Sequence, residues 1–163
     1  MTKILWSLCG SFLGIYLVAL IGKSLQFNFL TNLFLIGSLG ASAVLIYGVP
    51  LAEFSQPRNL IGGHVFSALV GVTVAKFLNA DLMLASALAV SLSVAVMHLT
   101  RTLHPPGGAT ALIAVIGGDG INQLGYYYVL SPVLFGTLVM LAVALLVNNL
   151  SRNPKRHYPV YWW

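Results

Sequence analysis

The chain has 163 residues, of which 58% are hydrophobic and only 7% charged, with a formal net charge of +5 and a mean hydropathy of +0.91. Soluble domains carry about a quarter charged residues, so this composition excludes folding in water and leaves one compact membrane domain with no room for a soluble one. Its eight basic residues are scattered rather than gathered, which excludes a nucleic-acid surface, and its single cysteine excludes an intramolecular disulfide.

A span needs about 20 apolar residues, and six segments approach that length: 4–22, 30–50, 61–78, 82–100, 103–117 and 129–148. Segment 1 is too long for the apolar core of a signal peptide and no small-x-small site follows it, so it is expected to be a retained span. Leu8 before Cys9 speaks against a lipoprotein. Segment 2 carries Gly37 and Gly40 as a weak point. Arg58-Asn59 stands before segment 3, where Gly62, Gly63, Ser67 and Gly71 predict close helix packing, as Ser86, Ser91 and Ser93 do in segment 4. Segment 5 opens on His104-Pro105-Pro106-Gly107-Gly108. Proline donates no backbone hydrogen bond and pushes the preceding residue out of the helical region, yet suits a first helical turn. The sequence therefore predicts an extended lead-in and a half-helix from Pro106 to Ile116, about 16 Å long. Such a lead-in must face the bundle centre, because lipid cannot satisfy its backbone. Tyr126 to Tyr128 are expected as an aromatic belt. The tail 149–163, with Arg152, Lys155, Arg156, Tyr158, Tyr161, Trp162 and Trp163, is expected as an anchor at the membrane interface.

The basic residues fix orientation. With six crossings, Lys3, Arg58, Arg101, Arg152, Lys155 and Arg156 lie in the cytoplasm with both termini, and Lys23 and Lys76 lie outside. A dipping and returning segment 2 and segment 5 would instead leave four full transmembrane helices. Gly40-Ala41-Ser42-Ala43 returns as Gly108-Ala109-Thr110-Ala111, each before a short apolar run. Two units of three segments, 1–81 and 82–148, would then be inverted repeats with segments 2 and 5 broken or half-helical, the plan of many secondary transporters.

The chemistry follows from that plan. A helix N-terminus presents unpaired N–H groups and a positive dipole end, a ready anion site. Gly40, Ala41 and Ser42 in one half, and Gly107, Gly108, Ala109 and Thr110 in the other, are the expected substrate-binding turns. The three acidic residues, Glu53, Asp81 and Asp119, fall in loops or span ends, so a carboxylate-based cation carrier is not indicated. Arg58, Asn59, His64 and His104 are the expected donors or gate, since guanidinium suits planar oxyanions and imidazole donates or titrates. Scattered histidines and one cysteine give no convergent zinc set, and neither metal, cofactor nor catalytic group is expected.

Arg101 to Thr110, reading RTLHPPGGAT, resembles the signature of the HPP family, and Gln56 to His64, reading QPRNLIGGH, resembles its second block. Between the motifs, Val49 to Ser55 is less regular than the family pattern. The resemblance implies a small multi-pass membrane protein customarily described with four transmembrane helices, and a link to nitrite transport. The expectation is a transporter or channel for a small inorganic anion, nitrite by resemblance, in lipid of a bacterial, possibly cyanobacterial, plasma membrane, and a homo-oligomer through glycine-rich faces. Two alternatives stay open at this point: a regulatory or assembly subunit without transport of its own, and an intramembrane enzyme on a lipid phosphate.

Overall fold

The computed structural model describes residues 2–24, 37–78, 81–151 and 153–163. Four helices are long and apolar enough to cross a membrane: α1 (Thr2–Ser24), α3 (Pro57–Phe77), α4 (Leu82–Leu99) and α7 (Val129–Leu150). Between them lie two shorter apolar helices, α2 (Gly37–Gly48) and α5 (Pro106–Ile116), and a one-turn helix α6 (Asp119–Asn122). The first half of predicted segment 2, and Arg152, lie outside the described residues. Pro132 lies inside α7, where Ser131 leaves helical geometry at φ −138° and ψ 121°, because proline cannot continue the ladder.

Small residues set the closest packing. Along α3, Gly63, Ser67 and Gly71 recur every four residues and meet Gly107 and Ala111 of α5. A Cβ on Gly107 would stand 2.7 Å from the Gly63 carbonyl oxygen, and one on Gly71 would stand 2.8 Å from Ala111 Cα. Backbones in near contact are how membrane helices associate when apolar burial gives no net drive. On α4 the buried stripe Ala85, Ala89, Ser93 and Met97 has the same spacing, and Leu82, Met83, Leu92 and Leu99 face outward. Gly10 and Gly14 of α1 leave a notch that Tyr47 of α2 fills, its hydroxyl donating to the Met140 carbonyl of α7 at 3.0 Å.

The basic residues sort by end. Arg156 Nη1 donates to the Lys3 carbonyl at 3.3 Å, Arg58 and Arg101 line one cavity, and Tyr161 lies over Arg58. The start of α1, the start of α3, the end of α4 and the C-terminal tail therefore share one end of the bundle. Lys76, with its ammonium 4.4 Å from the Tyr126 ring centroid, marks the other.

The tail departs from the expected interface anchor. Arg156 is buried and donates to the carbonyls of Lys3 and Tyr47, to Ser7 Oγ and to Asn148 Oδ1. Tyr158 is also buried, its hydroxyl donating to the Ser55 carbonyl at 2.7 Å, and that burial raises its phenol above the ordinary value. Lys155, Trp162 and Trp163 remain exposed as the composition suggests. Nor does the belt run through Tyr128: Tyr126 and Tyr127 are exposed, but Tyr128 is buried with its hydroxyl on the Thr110 carbonyl.

Candidate functional site

Where α2, α3 and the lead-in to α5 meet, the apolar bundle encloses a polar centre. Ser38, Ser42, His64, His104 and Thr110 are all buried there. Ser42 Oγ lies 2.7 Å from His64 Nε2 and 2.9 Å from His104 Nε2. Thr110 Oγ1 lies 2.7 Å from His64 Nδ1 and 2.6 Å from Ser38 Oγ. Ser38 Oγ also reaches the Pro106 carbonyl at 3.1 Å. The pairings of Ser38 with Thr110 and of Ser42 with His104 run in opposite senses along the two segments, so α2 and the α5 segment pass antiparallel through the centre.

Local sequence explains the placement. Residues 102–104 form a non-helical lead-in, but Pro105, expected to be extended with His104, already holds helical geometry at φ −51° and ψ −39°, with helix from Pro106. Gly62 and Gly63 give that strand its bed: a Cβ on Gly62 would stand 2.9 Å from Thr102 Cβ, and one on Gly63 the same distance from the Thr102 carbonyl oxygen. Asn59 Nδ2 donates to the Leu103 carbonyl at 2.9 Å, satisfying backbone that has no helical partner.

One bond orients the whole network. His104 Nδ1 lies 2.7 Å from the Phe54 carbonyl oxygen, which accepts only, so Nδ1 carries the proton. In the neutral ring Nε2 is then an acceptor, and Ser42 must donate to it. Ser42 has no second proton, so His64 Nε2–H donates to Ser42. His64 Nδ1 then accepts from Thr110, and Thr110 accepts from Ser38. The two imidazole centroids are 4.9 Å apart, and among the described residues no third ligand joins them into a metal site.

A second feature adjoins the first. Glu53, Phe54, Arg58, Asn59, His98 and Arg101 contribute to a cavity of about 320 Å³ at the basic end of the bundle. Arg58 Nε and Asn59 Oδ1 are buried there without a hydrogen-bond partner. Arg101 holds φ 55°, the left-handed position after α4. Its N–H bonds the His98 carbonyl and that of Thr102 bonds Met97, a helix stop at which glycine is the usual residue. The carbonyl that orients His104 belongs to Phe54, in the cavity wall.

The structure divides the predicted site residues. Ser42, His64, His104 and Thr110 converge, Asn59 braces the lead-in, and Arg58 stands in the cavity. Ala41 and Ala109 turn outward, and a Cβ on Gly40 would meet nothing within 4 Å. The Gly40 tetrad lies inside a helix already running at Gly37. The N–H groups of Gly107 and Gly108 bond the carbonyls of His104 and Pro105 at 2.8 and 3.1 Å, so that helix start presents side-chain hydroxyls and imidazole to the centre instead of free N–H groups. Sequence reasoning missed Ser38, Arg101 and the Phe54 carbonyl as parts of the site. Ser38 had a signal, since it stands as far before Ser42 as Pro106 stands before Thr110.

Residues 1–159 match the family described as HPP, transmembrane region. Two curated transmembrane proteins of Dictyostelium discoideum are 48% and 49% identical over 161 residues, which is 97% of this chain and 50% and 55% of theirs. The chain thus spans about half the length of the curated relatives it matches, and their names say only that they are transmembrane proteins. No solved structure matches.

Proposed function

The chain belongs to the HPP transmembrane family, and we propose that it transports a small inorganic anion, nitrite by the family resemblance, through the centre built by Ser42, His64, His104 and Thr110. The observation that carries this reading is the centre itself: two imidazoles and three hydroxyls, fully buried and joined end to end within an apolar bundle. Polar groups at such depth are costly, and by default they mark a substrate or ion route.

The route begins at the basic cavity, where Arg58 and Arg101 outnumber Glu53 and draw an anion in. An oxyanion that replaces the Phe54 carbonyl as the acceptor of His104 Nδ1–H then meets the first donor of the buried network. On this reading residues 1–81 and 82–148 are inverted repeats. Three contacts support that: the equivalent hydroxyls of Ser42 and Thr110 hold the two nitrogens of one imidazole, the equivalent Ser38 and Pro106 touch, and α1 packs on α7 as α4 packs on α3. The basic end is cytoplasmic by the positive-inside rule.

Nitrite uptake into proteoliposomes containing only this chain tests the proposal. Ser42→Ala and Thr110→Val are expected to reduce uptake at least tenfold, and Gly40→Ala to leave it unchanged. Uptake no faster than in protein-free vesicles, or uptake indifferent to both hydroxyl changes, overturns it.

A further inference from the structure

Read from one end to the other, the buried centre is an unbroken row: Ser38, Thr110, His64, Ser42, His104 and the Phe54 carbonyl, with successive contacts of 2.6, 2.7, 2.7, 2.9 and 2.7 Å. All lie within hydrogen-bond range, and each of the five side chains holds one exchangeable proton directed at the next. We propose that this row is a proton wire between Ser38 and the basic cavity, so that the domain moves a proton together with its anion. The coupling to an anion rests on the transport reading above, but the wire does not.

Two features of the geometry argue for proton movement over a purely structural network. First, the row has a place for one added proton. As an imidazolium, His64 donates from Nδ1 to Thr110 and from Nε2 to Ser42, Thr110 turns its hydroxyl to Ser38, and Ser38 turns to the Pro106 carbonyl already 3.1 Å away. Every contact is still bonded. Second, the row has a fixed polarity. The Phe54 carbonyl cannot donate, and His104 Nδ1 already carries a proton, so from the resting state the first proton moves from Ser38 toward the cavity.

The step balances. A proton arriving on Ser38 Oγ releases the Ser38 proton to Thr110, and the Thr110 proton passes to His64 Nδ1. The Nε2 proton of His64 passes to Ser42, and that of Ser42 to His104 Nε2. The Nδ1 proton of His104 leaves for an anion oxygen or water in the cavity. One proton enters and one leaves, with no redox change. His104 is left with a bare Nδ1 facing a carbonyl oxygen, lone pair against lone pair, and that unfavourable state is relieved when the rings turn and the hydroxyls rotate back, a reset that carries no proton across and readies the row for the next one.

Two measurements test this. Nitrogen-15 NMR of the full chain in lipid bilayers, histidine-labelled and carrying His98→Gln and His157→Gln so that two rings remain, reads the tautomers directly. Protonation of His104 at Nδ1 and of His64 at Nε2 is expected, and His104 protonated only at Nε2 overturns the wire even if no variant at Ser42 folds. In proteoliposomes with a trapped pH-sensitive dye and a potassium diffusion potential, proton entry is measured with and without nitrite, after subtraction of protein-free vesicles. Ser42→Ala is expected to reduce it at least tenfold, and Ser42→Thr, which keeps the hydroxyl, to restore it. Proton entry unchanged in Ser42→Ala, or absent with and without nitrite, overturns the wire. Proton entry without nitrite uptake keeps the wire and overturns anion transport; nitrite uptake with proton entry indifferent to Ser42 does the reverse.

Discussion

Adjacent glycines at the start of α5 should respond in opposite ways to one methyl group. A Cβ on Gly107 would sit 2.7 Å from the Gly63 carbonyl oxygen and 2.8 Å from Ser67 Oγ. Ser67 can rotate, but the Gly63 carbonyl belongs to the α3 backbone and cannot. Restoring ordinary contact requires α3 and α5 to part by roughly 0.7 Å, and overpacking of this kind costs about 1–3 kcal/mol. The same displacement stretches the 2.7 Å contact between His64 Nδ1 and Thr110 Oγ1, so Gly107→Ala should lower both stability and nitrite uptake. On Gly108 the nearest atom to a new Cβ is Val90 Cγ1 at 3.8 Å. There alanine meets no obstacle and favours the helix by up to about 1 kcal/mol. Unfolding midpoints of both variants in the same detergent, with uptake in proteoliposomes, decide the matter. Equal midpoints, or a greater loss in Gly108→Ala, would refute the backbone contact between α3 and α5 as the feature that sets the centre's geometry.

Arg101→Gly should raise stability by about 1 kcal/mol, because a side chain in left-handed backbone is disfavoured by about that amount. It should also weaken the apparent affinity for nitrite several-fold by removing a guanidinium from the cavity; unchanged affinity would make the cavity irrelevant to uptake. The tail should loosen in alkali. Burial raises the Tyr158 phenol above its ordinary value, so its stabilisation is complete below pH 10 and declines as pH rises beyond it, by about 1.4 kcal/mol per pH unit. Tryptic cleavage at Lys155 should accelerate between pH 9 and 11 in the native chain and rise less in Tyr158→Phe; identical profiles would exclude the phenol. Arg156→Met leaves Asn148 Oδ1 buried without its donor and should destabilise the chain by about 3 kcal/mol; a shift in the unfolding midpoint too small to resolve would show that the tail does not hold α1 and α2 together.

Composition by itself determined the membrane class, since 7% charge cannot clothe a surface in water. Hydropathy located the four long helices to within a few residues, except that α3 begins at Pro57, four residues before its predicted start. Pro105-Pro106 fixed the start of α5, because proline suits a first helical turn and cannot continue a helix from before it, although Pro105 itself takes helical rather than the expected extended geometry. The small-residue spacing of Gly63, Ser67 and Gly71 likewise announced a close contact, though not its partner. Side-chain partners were decided by tertiary structure alone. Ser42 and Thr110 were legible as hydroxyls at matching positions, but only the antiparallel passage of α2 and α5 sets both on His64. The tetrad glycines looked like ligand-facing backbone, yet helix phase turns Gly40 toward open space, Gly108 toward Val90 and Gly107 toward Gly63. Arg156 and Tyr158 have the composition of an interface anchor, and a fold that brings the tail back across α1 and α2 buries them. The Phe54 carbonyl, which orients the buried row, is a backbone group that every residue shares, so nothing in a sequence marks it; only packing brings it to 2.7 Å from one imidazole nitrogen.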